Sequence, residues 1–426
     1  MKNFDEFSRP MEYTSPMDSH LRSAIRNWAQ KEVMPFRRNF DEDWMDHKLI
    51  EPAFDKLMGN KGLGLQKALF PSEVGGWGLG QSDYLFRSSL IIAEEIGRAD
   101  TGMAVASMCA FWPLITITVS PYLNMDLCRQ IAPMFVNADN AVFAANAMTE
   151  PQGGSDVENM ELIKGKTLKT TARLEGEEWV INGHKLWPTN SGGVSSLFGV
   201  PCTTNPGSDD PDAFAFIFVP VKTPGVTEGN PYEKAGMAAD KNSDIWFDQV
   251  RVPKSYRAHG PGKDKDAFYQ LISMGQAASC GFLTGAMMNM YERLYTFVST
   301  RTYNNRPLKE NDAIAGIIGR IAGDIDICRI LAHEAAMIGD RRNMPYGDPI
   351  ISLKTVGRIR NIKDFVSDRA IDILGQAMDV LGSYGADREW DIEKHWRDIK
   401  IIQLWMGGKQ LCQMEAARWF FNCETL

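Results

Sequence analysis

An α+β protein with a helical domain first, a β-domain in the middle and a second helical domain last is predicted by a change in hydrophobic periodicity that occurs twice along the chain. Between 17 and 140, the segments 21–33, 50–58 and 84–98 carry apolar residues at helical spacing and are joined by Gly/Pro loops. Between 141 and 262 the pattern becomes short alternating runs, LKTTARLEG, EWVINGHKLWPTN, AFAFIFVPV and DIWFDQVRVP, separated by turn-forming stretches such as NPGSDDPD. From Asp266 onward long helical runs return, broken at 304–307 and again at 382–385. The expected domains are therefore 1–140, 141–262 and 263–426, with no internal repeat and no low-complexity tract.

Size and composition agree with that division. A chain of 426 residues exceeds what one core usually supports, and its 44% apolar content can build two or three. The net charge of −8, with no long basic run, argues against nucleic acid as the main partner, because no face is poised to displace counterions from phosphates. Seven cysteines, at 109, 128, 202, 280, 328, 412 and 423, are odd in number and lack C-x-x-C spacing. Reduced thiols in a reducing compartment are expected. The opening MKNFDEFSRP has early acids and no apolar run, so neither a secretory signal nor an Arg-rich transit peptide is expected, and the cytoplasm is the predicted location. One uncharged stretch, 101–125, is long enough for a membrane span, but it contains Pro113, Pro121, Asn124 and many hydroxyl side chains. A buried helical segment, with no membrane span, is the expectation.

Two motifs carry the chemistry. Residues 147–156 read AMTEPQGGSD, and 181–190 read INGHKLWPTN. Gly153 and Gly154 let the backbone approach a phosphate closely, Thr149 and Ser155 offer hydroxyl donors, and Trp187 offers a flat face for a ring with Thr189 beside it. An ordinary Gly/Pro turn and a core aromatic would explain either motif alone. In this order and spacing the pair resembles the flavin-binding signatures of the acyl-CoA dehydrogenase family. FPSEVGGWGLG (70–80), EEIGRADTG (94–102), FDQVRVP (247–253), RTYNNRPL (301–308) and VLGSYGADREWDIEKHWRD (380–398) extend the likeness over most of the chain.

The resemblance implies two helical domains, the second a four-helix bundle, around a small β-barrel, with FAD bound noncovalently. It assigns Met148, Thr149, Gly154, Ser155, Trp187 and Thr189 to the flavin of the same chain. Arg301, Asp379, Gly382 and Ser383 are assigned to cofactor contacts that in the family involve a neighbouring subunit, and Gly408 to a further cofactor contact. A homo-oligomer, tetramer or dimer, is implied, together with an acyl-CoA substrate and an electron-transfer flavoprotein or other electron acceptor. The implied reaction is oxidation of the thioester between its α and β carbons.

One segment departs from the family. Where relatives commonly read Tyr-Glu-Gly-Thr, with the Glu as base, this chain has Trp405, Met406, Gly407 and Gly408. A thioether cannot take a proton at neutral pH. Other relatives place the glutamate earlier in the same domain, and an ungapped pairing with 273–285 puts Gly275 there. Asp312 and Asp379 stand where Gln is frequent, and Gly408 where Thr is. The Met406 peptide still supplies the N–H that in the family polarises the thioester carbonyl, whereas a positioned base typically adds ~10²–10⁴-fold.

Three explanations stay open. Another group acts as base, with Asp100 the candidate and an N-cap in GRADTG its competing reading. Alternatively the substrate needs no base, because a carboxylate or sulfinate leaves in an elimination- or decarboxylation-type reaction. The third is a non-catalytic flavin-binding subunit. His184 reads as a solvated strand residue, His395 as a variable position, Cys280 as a packed thiol, and Arg388, Arg397 and Asp398 as structural ion-pair partners; no metal site is expected.

Overall fold

The computed structural model describes residues 16–159, 163–345 and 347–421. The opening residues 1–15, on which the expected absence of a leader rests, and Cys423 lie outside them. Helices α1 (Pro16–Trp28), α2 (Ile50–Met58), α3 (Leu85–Ala99), α4 (Thr101–Cys109), α5 (Trp112–Thr118) and α6 (Met125–Val136) build the first helical region. Side chains fix two of their starts, since Asp100 accepts from Met103 N and Asn124 from Leu127 N. The stretch Thr101–Thr118, apolar enough to cross a membrane, is entirely buried inside the protein.

Strands β1 (Phe143–Asn146), β2 (Thr171–Glu175), β3 (Glu178–Lys185), β4 (Ser195–Thr203), β5 (Phe214–Pro220), β6 (Val226–Glu228) and β7 (Ile245–Pro253) form one curled sheet, with the short helix α7 (Ser155–Glu158) between β1 and β2. Its path runs β1-β4-β2-β3-β7-β6, and β5 pairs antiparallel along β4. The alternating run of β7 puts Ile245, Phe247, Val250 and Val252 inward, where they join Ile181, Phe198 and Ile217 in a core belonging to the sheet alone.

The last region is a bundle. Helix α8 (Lys263–Thr300) has 38 residues and is buried almost all round along its middle. It is the central post, packed by α3, α5, α9 (Asp312–Asp340) and α10 (Leu353–Leu381), while α11 (Ile392–Leu404) and α12 (Gly408–Phe421) close over α10. The two breaks expected from sequence are a small hairpin, β8 (Thr302–Tyr303) with β9 (Arg306–Pro307), and a 3₁₀ turn at Gly382–Ala386. Close approach of α3 to α8 depends on glycine, because a Cβ at Gly285 would stand 2.2 Å from Glu94 O.

The six described cysteines, Cys109, Cys128, Cys202, Cys280, Cys328 and Cys412, are buried free thiols. Burial pushes the Cys280 thiol up to about 12, which suits packing and not nucleophilic work.

Candidate functional site

The first motif leaves β1 and turns where sheet meets bundle. Glu150 anchors that turn from below: its carboxylate accepts from Lys169 N at 2.7 Å and Thr170 N at 2.9 Å, and it pairs with the Lys185 ammonium at 2.9 Å. Both partners are buried; burial opposes the charge on Glu150, but Lys185 and the amide donors hold it down to about 2. Lys185 also donates to Met148 O at 3.1 Å, and Leu186 N donates to Thr149 O at 2.9 Å. These bonds bind the first motif to the second.

Beyond β3 the chain passes through Trp187 and Asn190, both at positive φ. Asn190 fixes the bend by donating to Ala106 O at 2.9 Å, and its own N–H donates to Asp240 at 3.1 Å. The Thr189 hydroxyl reaches Asp240 at 3.3 Å. Trp187 keeps 52% of its surface open at the mouth of the resulting cleft, with Tyr232 5.4 Å away. One face of its indole is thus free for a ligand.

Opposite stands the loop that follows α11. Trp405 packs on Trp112 at 5.3 Å, and Met406, Gly407 and Gly408 all have positive φ. Gln276 on α8 donates to Met406 O at 3.3 Å, and Lys363 on α10 donates to Trp405 O at 3.1 Å. The Met406 side chain is 3% exposed, and a Cβ built on Gly275 would stand 2.8 Å from its Cε. Both positions at which the resemblance expects a glutamate therefore meet at one point in space, one filled by a thioether and the other by nothing larger than hydrogen.

The space between these walls is a cleft of about 300 Å³. It is lined by Met148, Thr149, Gly154, Ser155, Trp187 and Thr189 on one side and by Trp112, Trp405, Met406 and Gly407 on the other. Every same-chain flavin contact expected from sequence is here. Glu158, which sequence reasoning passed over, lines it too, and among the described residues it is the one carboxylate that does. Its place at the end of the four-residue helix α7, three positions after Ser155, was a usable signal: a chain committed to the motif at Ser155 must carry residue 158 into the same cleft.

Burial pushes Glu158 up to about 7, although Arg360 and Lys363 pull the other way. Arg360 does not neutralise it by direct pairing. Instead it donates to Glu158 O at 2.9 Å and to Gln276 at 3.3 Å, and pairs with Glu415 at 3.2 Å.

The remaining expected site residues lie elsewhere. Gly408 is buried at the start of α12, one residue past the cleft lining. Arg301, Asp379, Gly382 and Ser383 are exposed around the end of the bundle, where the Arg301 guanidinium sits 5.8 Å from the Tyr384 ring. They do not line this chain's cleft, and neither does Asp100, the candidate base. Asp100 is the α4 N-cap, fully buried and ion-paired at 2.7 Å with Lys394, which also holds Asp398 at 2.8 Å. Burial opposes its charge, but Lys394 keeps it below the usual carboxylate range.

His395 is buried beside Asn289 at 3.0 Å in a network with Arg37, and burial holds its imidazole neutral. His184 stacks on Trp246 at 4.9 Å on the outer side of the sheet.

Comparison with known proteins agrees with this geometry. Residues 15–118, 145–250 and 267–420 match, in that order, the N-terminal, middle and C-terminal domains of acyl-CoA dehydrogenase. The mitochondrial short-chain specific acyl-CoA dehydrogenase of Bos taurus is 29% identical over 403 residues, covering 93% of this chain and 88% of that one. Cyclohexane-1-carbonyl-CoA dehydrogenase of Syntrophus aciditrophicus is 28% identical over 402 residues, covering 93% and 94%. The structure of butyryl-CoA dehydrogenase from Megasphaera elsdenii has the same fold, with a TM-score of 0.81 at 20% identity over 96% of this chain and 99% of that one. With all three domains present in sequence and the corresponding helix, curled-sheet and helix regions built around one cleft, the chain belongs to the acyl-CoA dehydrogenase family.

Proposed function

We propose that this protein is an FAD-dependent oxidoreductase that oxidises an acyl-CoA thioester between its α and β carbons. The observation that carries the reading is the single cleft in which Met148, Thr149, Gly154, Ser155, Trp187 and Thr189 converge opposite the Met406 loop. The residues fit a flavin: hydroxyls stand at one wall, an open indole face at the mouth, and a Cβ at Gly154 would come within 3.2 Å of the Thr149 hydroxyl oxygen. Bound there, the flavin supplies the acceptor for a hydride. The chain's own residues orient it, exclude water with Trp112 and Trp405, and present the Met406 peptide to the thioester.

Arg301, Asp379, Gly382 and Ser383 are proposed to complete the cofactor site across subunits of a homotetramer or homodimer, and Gly408 to contact the cofactor of its own chain. The electrons are proposed to pass to an electron-transfer flavoprotein or a comparable acceptor, in the cytoplasm. The test is to mix FAD-loaded protein anaerobically with a panel of acyl-CoAs and follow flavin absorbance. Bleaching by at least one saturated acyl-CoA is expected, and no bleaching by any of them refutes the reading.

A second reading is favoured by one observation, the absence of a carboxylate at both Met406 and Gly275. It is elimination or decarboxylation of a substituted acyl-CoA, whose leaving group supplies the electron pair. Product formation from a β-substituted thioester without lasting flavin reduction would select it.

A further inference from the structure

We propose that Glu158, carried on α7, is the base that removes the α-proton of the substrate. The proposal rests on the acyl-CoA reading above and adds the group that reading lacks. Glu158 is 4% exposed, lines the flavin cleft, and its Oε2 is buried with no hydrogen-bond partner among the described residues. A Cβ built on Gly407 would stand 3.0 Å from that same oxygen. The carboxylate therefore arrives beside the Met406–Gly407 peptide.

An unsatisfied buried carboxylate in a functional cleft is a strained arrangement that a purely structural role would have relieved by pairing. The Arg360 guanidinium is nearby, yet its hydrogen bond goes to the Glu158 carbonyl oxygen and its ion pair to Glu415. The main chain is clamped while the carboxylate stays available. Its affinity for protons, brought by burial to about 7, suits a base working near neutral pH. Asp100, by contrast, is committed to Lys394 and lies outside the cleft.

In the proposed step the α C–H bond breaks and its proton forms an O–H bond with Glu158. The freed electron pair makes the α–β double bond as the β-hydrogen leaves with its own pair, as hydride, to the flavin. The substrate is oxidised by two electrons, the flavin is reduced by two, and Glu158 later returns its proton to solvent.

The test uses full-length, FAD-loaded wild type and Glu158→Gln. In deuterium oxide with a 3-thia-acyl-CoA, whose β-methylene is replaced by sulfur and cannot lose hydride, the wild type should exchange its α-hydrogens, followed by proton NMR. Glu158→Gln should lose that exchange by ~10²–10⁴-fold while keeping its flavin. Equal exchange in the two proteins overturns the proposal. If exchange depends on Glu158 but no acyl-CoA bleaches the flavin, the base assignment stands and the oxidation reading falls. If acyl-CoAs bleach both proteins equally fast, the oxidation reading stands and Glu158 is not the base. Independently of turnover and of whether the variant folds, wild type labelled with carboxyl ¹³C-glutamate should show one resonance titrating near pH 7. Titration of every glutamate in the ordinary acid range overturns the proposal.

Discussion

Replacing Glu158 by Gln should make the protein relatively more stable as pH rises, and the size of the effect follows from the burial of this one carboxyl. In the unfolded chain Glu158 titrates near 4.5, whereas in the fold it titrates at about 7. The folded state therefore holds the proton more tightly. Below pH 4.5 the group is neutral in both states and contributes nothing. Between 4.5 and 7 the unfolded chain ionises first, so folding stability falls, and above about 7 the full penalty is in place. A shift of that size corresponds to about 3–4 kcal/mol at ~1.4 kcal/mol per unit. The glutamine variant does not titrate, so the difference in unfolding free energy, variant minus wild type, should rise by about that amount across the window. Any fixed cost of burying the amide appears equally at every pH and cancels. Urea titrations of both proteins without ligand, followed by tryptophan fluorescence from pH 4.5 to 8.5, measure it. A difference that stays flat would mean that Glu158 titrates alike folded and unfolded, and the argument from burial would fail.

Trp187→Ala should weaken FAD binding roughly two- to tenfold, the equivalent of ~0.5–1.5 kcal/mol of stacking, in an equilibrium titration of apoprotein with FAD. Unchanged affinity would show that the exposed indole does not cover the ring. Lys394→Met should destabilise the fold by about 3–5 kcal/mol in urea titrations, because it leaves the buried carboxylates of Asp100 and Asp398 without their shared cation. Met406→Glu introduced into Glu158→Gln should restore flavin reduction by a saturated acyl-CoA, since residue 406 adjoins Gly407, whose Cβ position lies 3.0 Å from Glu158 Oε2; no recovery would separate the two positions. Dilution to monomers should release flavin in step with dissociation if Arg301 and Gly382–Ser383 serve a neighbour, and a stable monomer that keeps its flavin would refute that role.

The fold was legible wherever periodicity and local chemistry agreed. The segment 50–58 is α2, and the four alternating runs contain β2, β3, β5 and β7. Strand β4 was harder to see because it contains Gly199 and Pro201, which read as breakers. Only its packing explains Gly199: a Cβ there would lie 2.5 Å from Pro113 and from the Phe216 ring. At the site, Thr149, Ser155, Trp187 and Thr189 were readable because motif residues a few positions apart must share a surface. Nearness to Ser155 places Glu158 at the cleft, but its burial could not be read, because that depends on residues far away in sequence. Gly407 stands beside its carboxyl and Arg360 holds its carbonyl, and no spacing along the chain encodes that meeting.

On the Glu158 assignment, Met406 is not simply a base that was lost. In the arrangement expected from the resemblance, one residue supplies both a peptide N–H to the thioester and a carboxylate to the α-carbon. Here those two roles fall to two residues, Met406 and Glu158. The thioether fills the space that Gly275 leaves beside Trp112, where a Cβ on Gly275 would stand 2.8 Å from Met406 Cε. A larger residue at 275 would displace Met406. Because α7 begins at Ser155, the base and the flavin-contact turn are also one short rigid piece, clamped to the bundle by Arg360. Proton acceptor and hydride acceptor are then positioned by the same few residues, so a change in the turn at 149–155 should alter flavin affinity and proton abstraction together, whereas a change in the loop at 405–408 should act mainly on the thioester.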